Sequence, residues 1–252
     1  MASKRKRRRP KAENAEYLPY DTLLIQATRC PNDLGPWKAS FRLPDGFQGF
    51  VEEVALHAFV LDGWRGVWSE AYLWSTLMAV LFWDVIFAPG PAAEALGARH
   101  PVGNPFPSRD MPNDLHGPDF YPRRESLIAN RMNELRKLDL SDAVANGFRQ
   151  HYRQPCRPIW NWDQIPVEIL REVAVAAPID GLLAVLDRLL RHYGEHRRGV
   201  PDLFLWNDRG TAFAEVKGPH DRLSEVQVAW LAFLRGLGFS TYVVTIAAQE
   251  QT

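Results

Sequence analysis

The sequence predicts an α/β protein: a mixed β-sheet built around one strongly apolar hairpin, with helices before and after it and a large added helical region. Three observations lead there. Two apolar runs, 202–206 and 211–217, are joined by the short polar turn Asn207-Asp208-Arg209-Gly210, the pattern of an antiparallel hairpin. Segments at 51–62, 71–88 and between 119 and 193 repeat apolar residues at helical spacing. The 252 residues are 46% apolar and include nine Trp, enough to pack one large domain or two small ones.

Taken in order, residues 1–15 open with the dense basic run MASKRKRRRPK. No apolar stretch follows it, so it does not read as a secretory signal. It is expected to be a disordered arm that attracts phosphates by charge, with a nuclear-localisation signal and a plain solvated tail as the other readings. Residues 22–27 and 38–42 read as short strands among Pro- and Gly-rich loops. In 51–62 the apolar positions Val51, Val54, Ala55, Ala58 and Phe59 mark a helix, on which His57 is read as structural.

Residues 63–70 lead into an apolar helix, 71–88, with Ser69 as a plausible N-cap and Pro89-Gly90 as its stop. At about 18 residues this helix approaches membrane-spanning length, but Trp74, Ser75, Trp83 and Asp84 favour a buried helix of a soluble fold. Residues 91–118 are a Pro/Gly-rich loop. Helices follow at 119–139, with Leu127, Ile128, Met132 and Leu135 on one face and Arg131 and Arg136 on a solvated one, and at 140–152. Ile159 to Asp163 is read as a cap-and-staple entry to a helix at 167–176, and a further helix spans 181–193. After the hairpin come a helix at 222–236, facing the core with Leu223, Val226, Trp230, Phe233 and Leu234, and a last strand at 240–246.

The chemistry is concentrated in the hairpin. With the turn centred between Asp208 and Arg209, Asp202 faces Glu215, and alternation puts Lys217 on the same face as Glu215. Opposed like charges destabilise a ladder, and an uncompensated buried carboxylate is costly. A cation between the acids resolves both costs, and oxygen ligands with a neighbouring Lys suit Mg²⁺ or Mn²⁺. The competing reading is a salt-bridged hairpin in which either acid pairs with Lys217. Lys+Arg and Asp+Glu balance at 30 each, so net charge decides nothing about nucleic acid. Cys30 and Cys156 have no CxxC spacing, which argues against a zinc site and for a reducing, intracellular setting, read as the cytoplasm and its nucleoid. No Ser/His/Asp or Cys/His constellation and no Gly-rich phosphate loop is present, so neither a covalent nucleophile nor a nucleotide cofactor is expected.

Pro201-Asp202 with Glu215-Val216-Lys217 resembles the core of the PD-(D/E)XK nucleases. The continuation Gly218-Pro219-His220-Asp221-Arg222-Leu223-Ser224, then Gln227 and Trp230, resembles the VRR-NUC branch, and within it the nuclease domains of the Fanconi-associated group. The segment ending Ser69-Glu70 and the run Leu81 to Phe87 continue the likeness. The resemblance implies a restriction-endonuclease-like core in the order helix, hairpin, helix, strand. It divides the chain into the basic arm 1–15, a mainly helical part 16–199 and a VRR-NUC catalytic core 200–248.

It further implies metal-dependent hydrolysis of DNA phosphodiesters in DNA repair. Glu70, Asp202, Glu215 and the carbonyl of Val216 are the expected metal ligands, and Lys217 completes the catalytic set. Arg197 and Arg198, which lead into the hairpin, are read either as a solvated charge pair or, with Arg222 and Gln227, as set against the nucleic acid. Branched or 5′-flap DNA is the implied substrate, and the helices at 119–193 favour the monomeric flap type. The long N-terminal DNA-binding and helical-repeat regions of that group do not appear in the sequence. A dimeric Holliday-junction resolvase and a non-catalytic DNA-binding subunit of a larger assembly stand as alternatives.

Overall fold

A computed structural model describes residues 18–30, 39–70, 72–88, 111–112 and 114–249. The expectation for the basic arm, and most of that for the loop at 91–118, lies outside these residues. The described strands form one seven-stranded sheet: β1 (Asp21–Arg29), β2 (Phe41–Arg42), β3 (Gln48–Gly49), β4 (Arg65–Trp68), β5 (Leu203–Asn207), β6 (Gly210–Lys217) and β7 (Ser240–Gln249). Their order is β3-β2-β1-β7-β6-β5-β4. The β1–β7 and β6–β7 pairs are parallel and the remaining pairs antiparallel. The mixed sheet expected from the sequence is present.

The hairpin has the expected register. Asn207 pairs with Gly210 and Leu203 with Ala214, so the next step of the ladder sets Asp202 against Glu215. Its strands are apolar on both faces because both faces are covered. On one face Leu203, Leu205, Ala212 and Ala214 join Val54, Ala55 and Phe59 of α1 (Val51–Leu61). On the other, Phe204 and Phe213 meet the buried Trp74 of α2 (Tyr72–Leu81), each with ring centroids 5.4 Å from the indole. The acid pair and Lys217 continue this second, aromatic face.

The second face also carries the added helices: α3 (Trp83–Ile86), α4 (Phe120–Leu135), α5 (Leu140–His151), α6 (Val167–Ala176), α7 (Ile179–Arg191) and α8 (Tyr193–His196). Following the hairpin, α9 (Glu225–Gly236) packs Trp230 and Leu234 into the same core. His57 is structural, as read: it bonds Asp45 at 2.7 Å and stacks on Phe47.

Several readings change. Residues 65–68, taken as a lead-in to a helix, form the edge strand β4. The apolar stretch 71–88 is two helices broken at Phe82, whose φ of −120° leaves the helical region. The break would orphan the carbonyl of Leu81, and Arg131 Nε donates to it at 2.7 Å. Arg131 is therefore a helix-end partner rather than part of a solvated face. No helix among the described residues is long and apolar enough to cross a membrane. The entry to α6 is Pro166, with no side-chain cap, in place of the Ile159 to Asp163 staple. Leu127 and Val226, assigned to buried faces, are exposed.

The α2–α5 crossing is the tightest joint in the helical region. A Cβ on Gly147 would lie 2.6 Å from the carbonyl oxygen of Val80 and 2.9 Å from its Cγ1. Replacing a helical Gly by Ala ordinarily gains about 1 kcal/mol, but here the added methyl meets backbone that has no free end to rotate away. Gly147→Ala is expected to destabilise the protein by about 1–3 kcal/mol, read as a lowered midpoint in thermal or urea denaturation.

Candidate active site

Strand β4 brings the site together. Trp68 pairs with Leu203, and one step further Ser69 takes hold of the backbone that precedes β5. Its N–H donates to the Asp202 carbonyl at 2.8 Å and its hydroxyl to the Pro201 carbonyl at 2.7 Å. Ser69 is fully buried, and its hydroxyl is spent on this clamp rather than on capping a helix. The clamp fixes Glu70, the next residue, beside Asp202. Glu70 and Asp202 line one cavity of about 470 Å³ together with Glu52, which α1 presents from its first turn.

Asp202 accepts a hydrogen bond from the Val216 N–H through Oδ2, at 2.7 Å across the hairpin. Glu215 is 1% exposed. Its Oε1 accepts from Lys217 Nζ at 2.8 Å and from the side-chain amide of Gln227. Its Oε2 is buried with no hydrogen-bond partner. Gln227 in turn accepts from Lys217 Nζ at 3.1 Å. Glu215, Lys217 and Gln227 therefore form a closed triangle on the aromatic face of the sheet.

The residues after the hairpin hold this triangle in place. Asp221 Oδ2 accepts the Gly218 N–H at 2.9 Å, closing the turn after Lys217. Ser224 caps α9 through a capping box whose other member is Gln227, so the Gln that touches the acid is positioned by the start of its own helix. The indole N–H of Trp230 donates to the carbonyls of His196 and Arg198, at 3.1 and 3.0 Å, and anchors the segment leading into Pro201-Asp202.

Electrostatically the site is short of positive charge. Burial raises the Asp202 carboxyl to about 6; repulsion from Glu70 and Glu52 adds to this, against the lowering effect of the Val216 N–H and of Lys217. Burial also raises Glu215, to about 7, reinforced by Asp202 and opposed by its bond to Lys217. Among the described residues, the Lys217 ammonium bonds Glu215 and leaves Asp202 to the Val216 N–H. As the side chains stand, no three acidic, His or Cys groups among the described residues converge into a ready-made metal centre.

The structure joins Asp202, Glu215, Lys217, the Val216 backbone and Gln227, with Glu70 across the adjoining cavity. The salt-bridged reading of the hairpin holds for Glu215 and Lys217, but that bond leaves Asp202 and Glu215 Oε2 uncompensated. Arg197 turns toward the helical region, where burial first and then its charge lower the pKa of His116; Arg198 and Arg222 are exposed. None of these three arginines lines the cavity. Glu52 is the residue that sequence reading missed. Its only signal is an acidic pair, Glu52-Glu53, at the start of a helix, and that pair divides its labour: Glu53 accepts the Phe50 N–H at 2.7 Å while Glu52 faces the acids.

A mixed sheet flanked by helices, with an acid pair and a Lys at one end of a hairpin, defines the restriction-endonuclease-like class of nuclease folds. Residues 137–248 match the family model of the VRR-NUC domain. The chain is similar to the Fanconi-associated nuclease 1 homolog of Schizosaccharomyces pombe, 34% identical over 187 residues, which cover 73% of this chain and 25% of the relative. The homolog from Pseudomonas aeruginosa is 33% identical over 168 residues, covering 66% of this chain and 28% of the relative. The chain thus spans about a quarter of the length of these curated relatives. The crystal structure of paFAN1 bound to 5′-flap DNA with a 2-nucleotide flap and a gap superposes with a TM-score of 0.72 at 25% identity, over 98% of this chain and 40% of that one.

The raised carboxyls set a pH dependence. Their folded pKa values lie above the ordinary 3.8 and 4.5, so the folded state binds more protons than the unfolded one between roughly pH 4 and 7. Stability must then fall as pH rises through that window. In chelator, Asp202→Asn is expected to raise the melting temperature at pH 8, because it removes a charge while keeping an oxygen for the Val216 N–H. The gain should shrink below about pH 5, where the wild-type acid is itself neutral. A melting-temperature series across pH for both proteins checks this.

Proposed function

We propose that the chain is a divalent-metal-dependent DNA nuclease that hydrolyses phosphodiester bonds in branched or 5′-flap DNA during repair, acting as a monomer. The observation that carries this reading is the Asp202–Glu215 pair on facing strands, with Lys217 bonded to Glu215. A structural salt bridge needs one acid per base, whereas among the described residues Asp202 and Glu215 share the ammonium of Lys217, with Glu70 in the adjoining cavity.

The residues present fit a hard cation. The donors are all oxygen, Glu215 Oε2 is buried without a hydrogen-bond partner, and both central carboxyls are raised by burial and mutual repulsion. Asp202, Glu215 and the Val216 carbonyl would hold Mg²⁺ or Mn²⁺, and Glu70 and Glu52 would turn toward it from the cavity wall. When bound, such an ion polarises a phosphoryl oxygen and lowers the pKa of a bound water.

The remaining work falls to the chain. Lys217 is held by its bond to Glu215, with its Nζ beside the acids where an attacking water would sit. From there it orients that water and offsets the negative charge that develops on the phosphoryl oxygens. Gln227 holds both the Lys217 ammonium and the Glu215 carboxylate, so that neither swings out of line. Glu215 is thereby left with one oxygen committed to Lys217 and one free to bind. Relatives named Fanconi-associated nuclease 1, and a structural neighbour bound to 5′-flap DNA, support the choice of substrate.

The test is cleavage of a labelled 5′-flap substrate with Mg²⁺ or Mn²⁺. Lys217→Ala and Asp202→Ala are each expected to lower the single-turnover rate at least about 100-fold, with flap affinity in EDTA changed little. Undiminished cleavage by either variant would reject the site. A panel of flap, nicked, four-way and linear duplexes ranks the substrates. Light scattering that showed a dimer, with preference for the four-way junction, would turn the reading to a resolvase.

A further inference from the structure

Single exposed aromatic side chains are ordinary, but several gathered along one groove mark a binding surface. Among the described residues, the large exposed aromatics are Trp68, Tyr72, Tyr152 and Trp160. They come from a strand edge, a helix start, a helix end and a loop, yet all four line a connected series of cavities.

The cavity of about 470 Å³ that holds Glu70 and Asp202 is walled by Trp68 and Tyr72. It shares Ile165 and Pro166 with a second, of about 510 Å³, which is lined by Tyr152, Trp162, Arg149 and Arg171. That cavity shares Trp162 with a third, of about 490 Å³, where Trp160 lies with Arg153 and Arg157. The result is a surface trench that starts at the acids and runs past the N-terminus of α6.

Its charge changes along its length. The end at the site is acidic, as the proposed cation requires. Further along, Arg149, Arg171, Arg153 and Arg157 outnumber the acids that share their cavities, Asp163 and Glu168. Arg149, Arg153 and Arg171 are not fully offset: Arg171 hydrogen-bonds the Ser141 hydroxyl and lies 3.9 Å from Asp142, Arg149 hydrogen-bonds Asn146 on its own helix, and Asp163 is shared between Arg153 and the Tyr152 hydroxyl. The Arg153 guanidinium also lies 5.1 Å from the Tyr152 ring centre. Its φ of 61° is left-handed, where a turn ordinarily uses Gly or Asn, and it turns the chain at the end of α5 between Tyr152 and the Trp160 loop.

We propose that this trench binds an unpaired DNA strand and leads it to or from the acid site. Aromatic faces interleaved with arginines are the chemistry of single-strand binding. Bases stack without regard to sequence, because each has a π face, while the guanidinium groups follow the phosphates. A duplex would bury its base faces and leave the four aromatics without partners. A protein partner would need neither the change of charge sign nor the connection to the acids. The inference rests on the nuclease reading for the identity of its ligand, but binding is measured apart from cleavage.

The probe is a fluorescein-labelled oligothymidylate of about 12 nucleotides, titrated by anisotropy in EDTA, with a blunt duplex of equal length as control. Trp160 is 77% exposed, so its replacement leaves the fold intact. Trp160→Ala is expected to weaken oligothymidylate binding about 5- to 150-fold. Trp160→Phe should keep most of the affinity, and duplex binding should be unchanged. Arg149→Ala should lower the slope of log affinity against log salt by a little under one unit for the single strand. Matching circular-dichroism melts exclude misfolding. Weakened single-strand binding in Trp160→Ala supports the trench whether or not the wild type cuts the flap. Wild-type affinity in that variant, equal losses for duplex and single strand, or no binding by the wild type would each overturn it, even if the Lys217 and Asp202 results stand.

Discussion

The structure is organised around a charge that the fold does not neutralise. Asp202 and Glu215 occupy consecutive ladder positions after Phe204 and Phe213, on a sheet face that otherwise packs Trp74, Trp230 and Phe239. An apolar side chain at either acid would extend that packing at no electrostatic cost. Lys217 offsets one charge, and the Val216 N–H stabilises another, yet burial keeps both carboxyls raised, to about 6 and about 7. A group held at such a cost needs surroundings that do not relax around it, and much of the remaining architecture supplies them.

The surroundings act through backbone. Ser69 grips two carbonyls on either side of the Pro201–Asp202 peptide bond, and Trp230 grips two more just upstream. Val216 ties Asp202 across the hairpin, and Asp221 locks the turn after Lys217. Each link has one partner that is a main-chain group of the hairpin or its flanks, so the acids cannot drift without breaking several bonds at once. Ser69, Asp221, Ser224, Gln227 and Trp230 thus acquire individual physical roles: two clamps, a turn lock, a helix cap and a tether for the acid–lysine pair.

This arrangement explains why the hairpin was legible in the sequence and its neighbours were less so. Alternation and a two-stranded turn fix which residues face one another, and a period of two leaves no freedom about the face. Asp202 opposite Glu215, with Lys217 beside it, followed from spacing alone. The edge strand β4 did not, because Arg65-Gly66-Val67-Trp68 is short, carries a Gly and pairs only with a distant segment. Glu52 was hidden for a related reason. Helical spacing shows which residues of α1 face the sheet but not which sheet residues they meet, since that depends on the crossing of α1 over β6 and β7. The break at Phe82 lay equally beyond local reading: the sequence there stays apolar and helix-compatible, and the partner that satisfies the freed carbonyl is Arg131, 50 positions away.

The same contrast separates chemistry from selectivity in the proposed enzyme. The groups assigned to bond cleavage sit on sheet strands or are tied to them, where ladder geometry sets positions closely. The wall opposite them is Gln164, Ile165, Pro166 and Ile169, which belong to the helical region and pack on the sheet only through side chains. A shift of α6 along its packing surface would widen or narrow the approach to Asp202 while leaving the hairpin register untouched. A domain built this way can keep one hydrolytic centre while its substrates are chosen by the helices laid against it. Selectivity should therefore respond to changes at 160–171 that leave the acids, Lys217 and the clamps around them in place.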